Sequence, residues 1–171
     1  MRASWLDDDA EIGRSVTDDE FADFYRSEYP GAVRLAWLLS HDHSTADDVV
    51  QDAFMRLQGR FDSVEHRRPY LRTCIVNGCR DGARRNHRSA ARLRLVGATE
   101  TNSHVDHPLE LVDAVSVLPY KQRAAVVLRY WADLHESDIA SMLNVRPGTV
   151  RTLIARALEQ LRKDLPDVSG S

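Results

Sequence analysis

The amino-acid sequence predicts an all-α protein built as two small helical domains joined by a flexible linker. Three observations carry this reading. Apolar residues recur at three- and four-residue steps in both halves of the chain, and no stretch alternates apolar and polar residues as a half-buried strand does. Between the halves, Gly97 to Pro108 is rich in Thr, Asn, Ser, His and Asp and has no periodicity, as a linker should. The expected division is an acidic, disordered tail at 1–16, a first domain at 17–94, the linker at 95–108, a second domain at 109–166 and a short tail at 167–171.

In the first domain, Thr17-Asp18-Asp19-Glu20 fits a capping box, with Glu20 three residues after the cap and Phe21, Phe24 and Tyr25 following. Pro30 stands where the first residue of a second helix would, ahead of Ala32, Val33, Leu35, Ala36, Leu38 and Leu39. Ser44 or Thr45 can cap a third helix, whose Ala46, Val49, Val50, Ala53, Phe54 and Leu57 form one apolar face. Pro69 opens a fourth helix carrying Leu71, Ile75 and Cys79 on one side.

In the second domain, helical pattern resumes at Leu109, Leu111, Val112 and Val115 and continues from Tyr120 to Trp131, Glu136 to Leu143 and Thr149 to about Leu165. Glu136 to Leu158 has the spacing of a helix-turn-helix. Ile139, Ala140 and Leu143 form an inner face, and the small Ala140 lets a second helix approach. Asn144-Val145-Arg146 makes a short turn with Val145 plugging the corner. Pro147 fits a helix start, with Gly148 or Thr149 as cap. On the second helix Val150, Ile154, Ala157 or Leu158, and Leu161 face inward, which leaves Arg151, Thr152, Ala155 and Arg156 outward. Such a helix lies in the major groove of duplex DNA with its first residues at base edges. One arginine there can donate two bonds to guanine.

Composition narrows the possibilities further. Hydrophobic residues make up 43% of the 171-residue chain, enough for packed cores, yet no run of about 18 apolar residues spans a bilayer. Met1 to Ala10 holds Asp7, Asp8 and Asp9 where a secretory leader would be basic and apolar, so a cytoplasmic protein without membrane insertion is expected. Cys74 and Cys79 are five apart, a spacing that suits neither a CxxC motif nor a zinc pair, and buried or half-buried thiols are expected. The seven histidines form no compact ligand pattern and no Gly-rich phosphate loop occurs, so no metal, no cofactor and no catalytic residue is assigned.

The net charge of −3 conceals a strong segregation. Seven acids and one Arg lie between Asp7 and Glu20, while nine arginines and a single acid, Asp81, lie between Arg67 and Arg94. An arginine stripe of this density attracts a polyanion, and contacts to phosphates dominate nucleic-acid affinity.

The segment LPYKQRAAVVLRYWADLHESDIASMLNVRPGTVRTLIARALEQLRKDL resembles domain 4 of bacterial sigma factors, above all the extracytoplasmic-function (ECF) group of the sigma-70 family. Independently, STADDVVQDAFMRL resembles the domain 2 segment that docks on core RNA polymerase, and YLRTCIVNGCRD.ARR resembles the adjoining promoter-melting helix. The blocks cover about Phe21 to Leu165 in the family's order.

The resemblance implies a transcription initiation factor and not an enzyme. Asp48, Gln51 and Asp52 would bind the beta-prime clamp helices; acids and an amide on one helix edge suit an Arg-bearing partner. Arg72, Arg80, Arg84 and Arg85 would hold phosphates of the -10 element, with Asn77 bonding a base edge. Phe61, His66 and Tyr70 are implied around a pocket for a flipped-out base. Arg151, Thr152, Ala155 and Arg156 would read the -35 element, domain 4 would meet the flap tip of the beta subunit, and an anti-sigma factor would hold the free protein. The sequence departs from the pattern at Tyr70, where ECF proteins often have Trp, and at Gly78 and Gly82 inside a helix, where each glycine costs about 1 kcal/mol unless close packing needs it. A dimeric helix-turn-helix regulator acting without polymerase is the principal rival. It leaves the acidic edge unexplained and requires a palindromic site. A helical adaptor leaves the arginine stripe unused.

Overall fold

The computed structural model describes residues 16–93 and 109–164, and all of the regular structure among them is helical. Residues 1–15, 94–108 and 165–171, which include the expected linker, the expected C-terminal tail and all of the expected N-terminal tail but Val16, lie outside the described residues, as do the side chains of Arg88 and Arg92. Three long helices form the first half: α1 (Val16–Ser40), α2 (His43–Gln58) and α3 (Arg67–Leu93). The second half comprises α4 (Leu109–Ser116), α5 (Tyr120–Val126), a π-helical turn (Val127–Trp131), α6 (Glu136–Leu143) and α7 (Pro147–Asp164).

Several helix boundaries differ from the sequence expectation. The chain runs as one helix through Pro30, although a proline removes a helical hydrogen bond there. Residues on both sides of it, Phe21 and Phe24 before and Ala32, Leu35, Ala36 and Leu39 after, pack on one core, so burial overrides local propensity. Thr17 is the second residue of α1 and not its cap. Asp42, not Ser44 or Thr45, caps α2, its carboxylate accepting the Thr45 amide at 2.7 Å. That bond holds the Asp42 carboxyl below its ordinary titration range. Pro69 falls in the first turn of α3, two residues after its start at Arg67. Pro147 is the first residue of α7, so Gly148 and Thr149 lie inside it, and the Thr149 amide donates to the Arg146 carbonyl at 2.9 Å.

The core of the first half is made by Leu35, Leu39, Val50, Leu57, Leu71 and Ile75, all at most 2% exposed. At Gly78 α3 lies close against α2: a Cβ there would lie 2.8 Å from Val49 Cγ1. At Gly82 the corresponding distance, to Thr45 Cγ2, is 3.1 Å. Close packing therefore accounts for both helix glycines. Cys79 is buried and Cys74 half-buried, both as free thiols, and burial pushes the Cys79 thiol up to about 12.

The two halves pack against each other. One apolar cluster continues from α1–α3 into Ala124, Leu128, Ile139, Leu143 and Val150. The Tyr120 hydroxyl, on α5, donates to the Val76 carbonyl of α3 at 2.6 Å. Arg123 donates to Leu39 O at 2.7 Å, at the end of α1, to Ser116 O, the last residue of α4, and to Leu118 O just past it. One guanidinium thus joins the carbonyl ends of two helices, where the helix dipole is negative.

Candidate functional site

The helix-turn-helix is formed by α6 and α7. Ile139, Ala140 and Leu143 are buried, and Asn144 ends α6 in the left-handed conformation (φ 51°, ψ 55°), which a short polar side chain tolerates. The Val145 amide donates back to Ala140 O at 3.0 Å, and the Val145 side chain packs half-buried on the core, closing the corner. On α7, Val150, Ala157 and Leu161 are buried and Ile154 and Leu158 half-buried. Arg151, Thr152, Ala155 and Arg156 are all exposed and share the outward face. Arg151 Nε donates to Glu136 Oε2 at 2.7 Å, across the motif.

On α2, Asp48, Gln51 and Asp52 are exposed on the face opposite Ala46, Val49, Val50 and Ala53. Asp52 pairs with Arg56 at 2.9 Å, one turn on. Beside this edge runs a groove of about 350 Å³ that includes Gln51, Asp47, Tyr25, Tyr29 and Met55. Tyr25 and Tyr29 stack with ring centroids 5.0 Å apart, and Met55 is 65% exposed. In the sequence expectation Tyr25 only follows the first helix start, and Tyr29 and Met55 have no role. The four-residue step Phe21, Tyr25, Tyr29 was the available signal.

On α3, Arg84 and Arg85 are exposed, whereas Arg72, Asn77 and Arg80 are half-buried. Burial lowers the pKa of Arg72, and the neighbouring Arg68 adds to the effect. Arg80 lies 3.7 Å from Asp81, and its Nε is buried without a hydrogen-bond partner among the described residues. The arginine stripe is less unopposed than its sequence implies: Arg68 bonds Glu28 and Arg67 lies 3.9 Å from Glu20, both acids of α1.

The loop before α3 differs from the sequence expectation. Phe61 is only 3% exposed, meets Phe21 edge-on at 5.3 Å and is covered by the Arg67 guanidinium at 3.8 Å. It is a core side chain here and not an exposed loop aromatic. His66 is exposed and Tyr70 half-buried, so those two remain accessible at the loop. Among the described residues no cluster of three or more His, Cys, Asp or Glu is placed to hold a metal, and no helix is long and apolar enough to cross a membrane.

Family models place both halves. Residues 24–89 match the model described as Sigma-70 region 2, and residues 109–161 match Sigma-70, region 4. The chain belongs to the sigma-70 family. Within it the ECF group is indicated by its relatives. The RNA polymerase sigma-E factor of Streptomyces coelicolor is 32% identical over 158 residues, covering 85% of this chain and 86% of that protein. The ECF RNA polymerase sigma factor SigM of Mycobacterium tuberculosis is 32% identical over 163 residues, covering 91% and 83%. In fold, the chain is similar to the sigma factor RpoE of Bartonella quintana, solved in complex with the anti-sigma factor NepR. The TM-score is 0.72 at 23% identity, over 85% of this chain and 96% of that one. The region 2 match contains the α2 edge and most of α3, and the region 4 match contains α6 and α7 as far as Leu161.

Proposed function

We propose that this protein is a transcription initiation factor that binds core RNA polymerase and directs it to promoters by reading two unlike DNA elements. The observation that carries the reading is the exposed row Arg151, Thr152, Ala155 and Arg156 on α7, in the same chain as the acidic edge of α2. A reading helix alone serves any DNA-binding protein; joined to a docking edge it serves a polymerase subunit.

In this reading Asp48, Gln51 and Asp52 engage the beta-prime clamp helices. Arg72, Asn77, Arg80, Arg84 and Arg85 engage the -10 element, with His66 and Tyr70 at the flipped base. Region 4 reads the -35 element and meets the beta flap tip. Each contact alone is modest, and linkage through polymerase raises the affinity of the pair. The protein works in the cytoplasm, supplies no polymerisation chemistry, and is held by an anti-sigma factor, as RpoE is by NepR.

Run-off transcription with purified core polymerase on a genomic promoter library tests the proposal. Initiation dependent on this protein, at promoters sharing two different elements, is expected. No dependent initiation, or tight binding to a palindrome without polymerase, refutes it and favours a dimeric regulator.

A further inference from the structure

We infer that Glu136 is a specificity-determining positioning residue, which holds Arg151 for guanine recognition and keeps it off the DNA backbone. The inference rests on the reading of α7 as the promoter-reading helix. Glu136 is the first residue of α6 and Arg151 the fifth of α7, so their bond crosses the motif. Arg151 is 73% exposed and Glu136 35%, and Arg151 lies near the start of α7, the end of a reading helix that meets base edges.

An arginine at the start of a reading helix has two competing acceptors. Phosphates accept it anywhere on DNA, whereas the guanine O6 and N7 pair accepts it at one base. Glu136 takes the Nε hydrogen, at 2.7 Å, and the two terminal amino groups have no hydrogen-bond partner among the described residues. Those two groups carry the parallel donors that a bidentate guanine contact needs. The carboxylate also repels phosphate, and the first helix of this motif crosses the DNA backbone. Both effects favour the base over the backbone. An exposed ion pair contributes little to folding, so removing Glu136 should change selectivity and leave stability nearly unchanged.

The test uses the full chain with core polymerase on promoters varied one base pair at a time through the -35 element. Binding is measured across a salt series. Wild type should prefer guanine at one position by roughly tenfold or more, and Arg151→Ala should lose that preference. Glu136→Ala should lower it about three- to tenfold, with binding to scrambled -35 DNA increased. Glu136→Gln, which keeps an acceptor for Nε but not the charge, should retain most of the preference while binding scrambled DNA more tightly.

Full discrimination in Glu136→Ala, with Arg151→Ala defective, overturns the positioning role alone. So does a lowered Tm with equal losses at every -35 position, which marks a structural defect. Unchanged selectivity in Arg151→Ala overturns the assignment of the reading helix, and the role of Glu136 with it.

Discussion

Replacing Gly78 with alanine should destabilise the protein although alanine is the better helix former. The gain in helix propensity is about 1 kcal/mol. Against it stands the new methyl, which would sit 2.8 Å from Val49 Cγ1 and 3.2 Å from Val49 Cγ2. Val49 is 8% exposed and β-branched, with one strongly preferred rotamer in a helix, so it cannot swing aside. Either α2 and α3 separate or the side chain leaves its rotamer, and overpacking of this kind costs about 1–3 kcal/mol. The net loss is therefore about 0–2 kcal/mol.

Gly82→Ala provides the internal control. Its methyl would lie 3.1 Å from Thr45 Cγ2, on a half-buried side chain at the start of α2 that can give way. That variant should be neutral or more stable by up to about 1 kcal/mol. Val49→Ala removes the obstacle, so it should cost less in the Gly78→Ala background than alone, with a coupling of about 1 kcal/mol or more. Denaturant melts of the full chain, followed by helical circular dichroism, measure the midpoint at constant m-value. If Gly78→Ala raises the midpoint as much as Gly82→Ala, and the double variant is additive, contact with Val49 does not restrict position 78. The spacing also sets how the acidic edge of α2 lies relative to the arginines of α3.

Asp42→Ala should cost about 1 kcal/mol through loss of the α2 cap. Because the folded carboxyl titrates below its ordinary value, that contribution is complete at neutral pH and is lost as pH falls through the folded pKa. Melts at pH 7 should separate the two proteins, and the gap should narrow below the usual Asp range. Tyr120→Phe removes the donor to Val76 O and about 0.5–1.5 kcal/mol of docking between the halves. Fluorescence transfer between labels on α2 and α7 should show a larger separated population, and an unchanged distance distribution would rule out the contact as a latch. Replacing Asp48, Gln51 and Asp52 together by alanine should abolish binding to core polymerase with helix content unchanged. Wild-type affinity in a titration with purified core would remove the docking assignment.

Much of this was legible in the residues. Val150, Ala157 and Leu161 face inward on α7 and Arg151, Thr152, Ala155 and Arg156 outward, as the helical period requires. Val145 closes the turn and Pro147 begins the helix, for reasons that act over a few bonds. The acidic edge of α2 followed from the same period, once its apolar face was assigned. These features depend on neighbours three or four residues away, and a sequence displays such neighbours directly.

What the residues did not display depends on neighbours far along the chain. Phe61 reads as a loop aromatic, but Phe21 and Arg67 enclose it. Arg68 reads as one of an unopposed stripe, but Glu28, 40 residues earlier, neutralises it. Pro30 reads as a helix start, and the shared core carries the helix through it. Tyr120 and Arg123 reach acceptors 44 and 84 residues away, and Glu136 meets Arg151 across 15. Local periodicity determined the helices and their faces. The partners of those faces were decided by packing, because burial and charge pairing depend on distance in space, which no local pattern encodes.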